Sequence, residues 1–254
     1  VVSWFGKPEH RLTPARILQA LIAGGLGAIE VAAACACSGI VIGVISITGV
    51  GLAFSSYVLS LSRGILPLAL FLTMIGSIIL GMGIPTTAQY IITSTLAAPA
   101  LYEMGVPMIS AHLFCLYFGV LADVSPPVAL ATYAAAGIAK SNPMKTGYTA
   151  LMTAVAGFLV PYMFVYNPYL LLQGDIWHII IGCGTALVGI IGLSAGVQGF
   201  LVDDLNVLER MALVSVPFFV IYPTLTSNVV GCAIIATLFL WQKYRQRVNL
   251  AGEK

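Results

Sequence analysis

The chain has 254 residues, of which 59% are hydrophobic and 8% charged; soluble domains carry about a quarter charged residues, so a soluble globule is excluded. A net charge of +2, with Lys and Arg gathered at the ends of apolar segments, excludes a nucleic-acid surface and reports membrane topology instead. None of Cys35, Cys37, Cys115, Cys183 and Cys232 stands at zinc-site spacing and no Walker-type phosphate loop occurs, so neither a resident cofactor nor ATP hydrolysis is expected.

Apolar runs at residues 65–80, 150–165, 176–195 and 211–240 approach or exceed the roughly 20 residues that a helix needs to cross a bilayer. They are continuous rather than alternating, which argues against a β-barrel. The expected fold class is an all-α polytopic membrane protein. The sequence opens at Val1 with neither Met nor a signal-peptide pattern, and is read as part of a longer polypeptide. After a polar stretch with Lys7, His10 and Arg11, Thr13-Pro14 supplies an N-cap and a first helical position. Residues 15–61 are too long for one straight crossing, and Gly24-Gly25-Leu26-Gly27 and Thr48-Gly49-Val50-Gly51 are the expected bends. Residues 1–28 are read as a cytoplasmic or interfacial arm helix, with Glu30 at the membrane surface where the arm meets a crossing.

Residues 65–104 hold two apolar limbs around Gly81-Met82-Gly83-Ile84-Pro85-Thr86-Thr87. They form either two full crossings or a re-entrant hairpin whose tip lies near mid-membrane. Irregular backbone at that depth is tolerated only where protein or a water-filled cavity surrounds it. Residues 108–139 form one apolar segment interrupted by Asp123-Val124-Ser125-Pro126-Pro127; two prolines remove two amide donors, so a broken membrane helix is expected. Further crossings follow at 148–168 and 177–200, and 211–240 is expected to double back near Pro223. Placing Lys7, Arg11, Arg16, Lys140 and Lys145 in the cytoplasm satisfies the positive-inside rule with either reading of 65–104, and Lys243, Arg245 and Arg247 fall on the same side. Tyr162, Tyr166, Tyr169, Trp177 and Trp241 read as an aromatic belt.

Discontinuous helices build the sites of many secondary transporters, because their free amide and carbonyl ends face ions and anionic substrates. The two interruptions offer Gly81, Gly83, Pro85, Thr86, Ser125 and Pro126 as oxygen or backbone ligands for a hard cation, and Thr86, Thr87, Asp123 and Ser125 for a solute. The competing reading of Thr86 and Thr87 is that they cap the second limb or bond back to the preceding turn. Asp123 differs, because a carboxylate inside an apolar segment is costly and functional by default. Gln89, on the second limb, bonds either a neighbouring helix or a solute, and His10, His112 and His178 read as interface anchors.

The ordered motifs from Ala32-Ala33-Ala34-Cys35-Ala36-Cys37-Ser38-Gly39 through Ile47-Thr48-Gly49-Val50-Gly51-Leu52, then Leu80-Gly81-Met82-Gly83-Ile84-Pro85-Thr86-Thr87-Ala88, Ser125-Pro126-Pro127-Val128-Ala129-Leu130 and Phe164-Val165-Tyr166-Asn167-Pro168, resemble the large permease subunit of TRAP transporters. The likeness is greatest to the C-terminal portion of the fused permeases that serve TAXI-type binding proteins, and it covers about residues 11–172. It implies an inverted-repeat, elevator-type ion-transporter fold, in which each repeat supplies a hairpin and a broken helix. Residues 29–172 would be the second transport repeat and 173–254 a C-terminal membrane extension. It further implies sodium-coupled uptake of an organic acid delivered by a periplasmic solute-binding protein across a bacterial or archaeal cytoplasmic (inner) membrane. The upstream repeat and small-subunit helices, in the same chain or separate, would be partners together with the lipid bilayer. If sodium is not the coupling ion, a proton carried by Asp123 is the alternative. A stand-alone carrier of the same architecture is the rival transporter. An intramembrane aspartyl protease, suggested by Asp123 and Pro99-Ala100-Leu101, would need a second carboxylate sharing the proton, and Asp175, Asp203 and Asp204 all fall at membrane edges. No enzymatic activity is expected.

Overall fold

A computed structural model describes residues 13–221 and 224–252, with their side chains except at 27, 30, 31, 34, 38, 46, 225 and 247–252. Lys7, His10, Arg11 and Pro223, and the side chains of Glu30 and Arg247, lie outside the described residues. Among the described residues the regular elements are helices, with one isolated bridge between Phe200 and Asp204 and no strand.

Helix α1 (Pro14–Thr48) opens on Thr13, whose hydroxyl accepts the Arg16 amide at 3.4 Å, with a proline in its first turn. It runs unbroken through Gly24-Gly25-Leu26-Gly27, where the sequence suggests a bend. A helical glycine costs only about 1 kcal/mol, and the apolar residues around these keep the hydrogen-bond ladder. The break comes instead at Gly49, whose φ of +70° suits glycine. There α2 (Val50–Ser62) departs from the preceding segment at 71°.

After Arg63 and Gly64, both at positive φ, α3 (Leu66–Gly81) and α4 (Thr86–Glu103) fold against one another across residues 82–85. Sixteen residues rise roughly 24 Å, less than the approximately 30 Å hydrocarbon core. Helices α5 (Met108–Ala122) and α6 (Leu130–Ala139) are likewise short and apolar. Next, α7 (Pro143–Thr153), capped by the Asn142 side chain at 3.1 Å, and α8 (Val155–Tyr166) join into one span of 24 residues. A 3-10 turn (Pro168–Leu171) leads to α9 (Ile176–Gln198), a second span of 23 residues. These are the helices long and apolar enough to cross a membrane among the described residues, with the bent pair of α1 and α2 a third candidate.

The core lies where α3, α4, α5 and α8 meet, around Leu70, Leu101, Phe114, Phe118 and Val165. Phe114 stacks edge-on against Phe118 and Tyr162, with ring centroids 4.7 and 5.3 Å away. Tyr162 therefore belongs to this core rather than to an aromatic belt, and its hydroxyl reaches the Met74 sulfur at 3.3 Å. Trp177 and Trp241 are exposed, as belt residues are.

The remaining helices, α10 (Val207–Val220) and α11 (Leu225–Gly252), pack on each other and on α9. The 211–240 run does double back: Gln242 returns to accept the Val202 and Asp203 amides at 3.1 and 3.3 Å and to donate to Glu209 at 3.3 Å. Beside it Arg245 pairs with Asp203 at 3.3 Å and Glu209 at 3.7 Å. Close approach of α9 and α10 rests on a glycine face. A Cβ at Gly196 would stand 3.0 Å from the Val214 backbone nitrogen and 3.1 Å from the Arg210 oxygen.

Candidate functional site

Both helix interruptions are locally built from backbone that cannot continue a helix. At the first, Met82 donates to Ile79 O at 3.4 Å, Gly83 takes a φ of +77°, and Pro85 begins the next helix by accepting the Gln89 amide at 3.0 Å. At the second, the last turn of α5 tightens: the Asp123 amide bonds to Val120 O at 3.1 Å rather than reaching Gly119 O. Residues 123–129 then fold on themselves. Ser125 donates its hydroxyl to Leu121 O at 2.7 Å, Tyr133 donates to Pro127 O at 2.9 Å, and the Ala131 amide crosses the gap to Asp123 O at 3.2 Å. The Pro126-Pro127 peptide is cis, and Pro126 packs toward Gly147 of α7.

These two interruptions are neighbours. A Cβ placed on Gly83 would sit 3.7 Å from a methyl of Val128. One turn deeper, the carboxamide of Gln89 is wedged between Gly81 and Gly119. A Cβ on Gly81 would meet its nitrogen at 2.5 Å and the Gly119 carbonyl oxygen at 3.1 Å, and a Cβ on Gly119 would collide with the same amide nitrogen. Gln89 is 1% exposed, and its amide oxygen has no hydrogen-bond partner among the described residues. Such an orphaned buried acceptor costs about 1–3 kcal/mol. Gly81 and Gly119, in the last turns of α3 and α5 where the helices present their negative poles, lie against its amide nitrogen.

Among the residues singled out from sequence, Gly81 is packed into this seam, and Gly83 forms its rim. Pro85, Thr86 and Thr87 are exposed at the start of α4. Neither threonine caps the helix, and neither hydroxyl makes a hydrogen bond among the described residues, so both stay available to a ligand. Asp123 is half-buried with no ion pair or side-chain hydrogen bond among the described residues. Ser125 is buried and has spent its proton on Leu121 O, which leaves its oxygen lone pairs. No hydrogen bond links Thr86 or Thr87 to Asp123 or Ser125 among the described residues.

Sequence reasoning gave Gln89 only general roles and passed over Gly119. The signal for Gly119 is its place four residues before Asp123, one turn back along α5 from the break. His112, read as an anchor, is engaged by the Tyr90 hydroxyl at 2.9 Å, and His178 stacks on Tyr169 with centroids 5.2 Å apart.

A family model, that of the DctM component of tripartite ATP-independent periplasmic transporters, matches residues 1–179. The chain belongs to this family. It is thus a membrane transport component of the TRAP type, in a family of transporters rather than enzymes, whose members work with a periplasmic binding protein. The match covers every helix from α1 through the start of α9 and both interruptions, and it ends before α10 and α11. Searches of curated proteins and of solved structures return no match.

Proposed function

We propose that the seam between the α3–α4 tip and the 123–129 break is the solute and coupling-ion site of a sodium-driven, binding-protein-dependent TRAP permease of the TAXI-associated, fused kind. The observation that carries this reading is the adjacency of two helix interruptions that present unspent oxygens: the Thr86 and Thr87 hydroxyls and the Asp123 carboxylate. Oxygen ligands at helix C-termini suit sodium, and the exposed start of α4 suits a carboxylate solute. Cation ligands are drawn from Gly81, Gly83, Pro85, Thr86, Ser125 and Pro126, and solute ligands from Thr86, Thr87, Asp123 and Ser125. In this reading α3 and α4 are the limbs of a re-entrant hairpin, which the short, apolar character of α3 favours. Residues 29–172 are one repeat of an inverted-repeat elevator, completed by an upstream repeat and small-subunit helices, and 173–254 is an extension. The positive-inside rule puts Lys140 and Lys145 in the cytoplasm, with the protein in the inner membrane of a bacterium or archaeon.

Uptake of a labelled dicarboxylate, amino acid and keto acid in turn, into proteoliposomes holding the complete permease, tests this reading. The binding protein is supplied outside and a sodium gradient is imposed or omitted. Uptake requiring both is the expected result. Uptake independent of the sodium gradient removes the sodium assignment and leaves Asp123 as a proton carrier; uptake without the binding protein points to a stand-alone carrier.

A further inference from the structure

Away from the two interruptions, an open groove of about 540 Å³ lies between α7, α9 and α10. Its direction follows from the packing. Gly182 of α9 lies against Asn167, Gly189 against Met163 of α8, and Gly196 lines the groove together with Met152 of α7, so the α7–α8 span and α9 run antiparallel. The start of α7, the end of α9 and the start of α10 therefore share one end of the bundle. On α10, Val207, Met211, Val214 and Phe218 recur at helical spacing and give the groove an apolar wall roughly 16 Å long. Arg210 stands in that wall at the shared end.

The guanidinium is pinned rather than free to swing. Nε donates to Gly196 O at 3.0 Å and Nη2 to Val197 O at 2.8 Å, so carbonyls from the last turn of α9 hold the fork. A guanidinium has five N–H groups, and those not spent on these two carbonyls make no hydrogen bond or ion pair among the described residues. The neighbouring carboxylates of Asp203 and Glu209 are taken by Arg245 of α11. Lys145, seven positions before Met152 and so on the same face of α7, adds an exposed cation toward the same end. A fixed cation with free donors at the mouth of an apolar groove, in a membrane protein, suits an amphiphile with an anionic head. We propose that the groove binds an anionic phospholipid, its phosphate on the free edge of Arg210 and one acyl chain along α10. The site is independent of the solute and sodium reading above.

The test is native mass spectrometry of the complete permease, released from detergent micelles that contain phosphatidylglycerol and phosphatidylcholine with identical chains in equal amounts. The wild type is expected to retain phosphatidylglycerol in preference. Arg210→Gln keeps a donor for the α9 carbonyls but loses the charge, and lowers the ratio of retained phosphatidylglycerol to phosphatidylcholine about fivefold, the factor that one Arg near the membrane surface is worth. Met211→Trp fills the groove, leaves the hydrogen bonds of Arg210 untouched, and lowers the same ratio with an unchanged melting temperature. Equal retention of the two lipids by the wild type, or an unchanged ratio in Arg210→Gln, overturns the proposal. A preference that survives Met211→Trp overturns the acyl chain in the groove. Displacement of phosphatidylglycerol by millimolar glycerol phosphate overturns the lipid in favour of a free anion.

Discussion

Replacing Gly81 by alanine isolates the steric fit of the tip on the break. The new methyl would stand 2.5 Å from the Gln89 amide nitrogen, 3.0 Å from its carbonyl carbon and 3.1 Å from the Gly119 oxygen. The first two neighbours belong to a side chain, but the slot that holds that side chain is closed on its other flank by Gly119. The third is helix backbone and cannot turn aside. The end of α3 must therefore lift from α5 by several tenths of an ångström. Overpacking of this kind costs about 1–3 kcal/mol, equivalent to a factor of about 5–150 in the ratio of seated to unseated tip. In proteoliposomes the expected result is a fall in uptake within that range, with a small drop in the melting temperature in detergent, because α3 also packs through Leu70 and Ala69 in cores remote from the tip. Gly83→Ala has room, with Val128 at 3.7 Å, and meets only the strain of a φ of +77°, about 1–2 kcal/mol. Wild-type uptake by Gly81→Ala would refute the seated tip.

Asp123→Asn removes a carboxylate with no partner among the described residues, so uptake is abolished while the melting temperature holds; a fall of more than a few degrees would mean that the group is structural. Thr86→Val deletes a hydroxyl that makes no hydrogen bond among the described residues. A rise in the sodium concentration for half-maximal uptake without loss of stability is expected, and an unchanged sodium dependence removes Thr86 from the site. Gly196→Ala pushes α9 off the α10 backbone at 3.0 and 3.1 Å; a loss of about 1–3 kcal/mol on melting is expected, and undiminished stability would show that this glycine face does not set the helix separation.

Much of the chain's punctuation was legible because its causes are local. Gly49 ends α1 through its own φ, Pro85 and Gly83 interrupt the α3–α4 stretch, and Pro126-Pro127 cannot continue α5. Gly24-Gly25-Leu26-Gly27 misled for the converse reason: glycine permits a bend without requiring one, and neighbouring helical residues decided the matter. Tyr162 looked like a belt residue because sequence cannot reveal that Phe114 and Phe118 face it. At the candidate site, the types of residue were readable but their company was not. Gln89 lies 30 positions from Gly119, and only the packing of α4 between α3 and α5 makes the two glycines a slot. Equally, the return of Gln242 and Arg245 to Asp203 and Glu209 depends on where the last two helices turn, which no local pattern near Arg245 records.

The lengths of α5 and α6 carry an electrical consequence. With 15 and 10 residues, they rise roughly 22 and 15 Å, so the break between them falls somewhat past halfway along the pair. If α5 and α6 together cross the membrane as the proposed site requires, an ion held beside Asp123 would have traversed about half of the membrane's electric field. Moving a unit charge through the whole field is worth about 2.3 kcal/mol per 100 mV, and half of it about 1 kcal/mol. Under the proposed site, occupancy of the break would be set by membrane voltage as well as by concentration, and a cell's resting potential alone would shift the ion's apparent affinity several-fold.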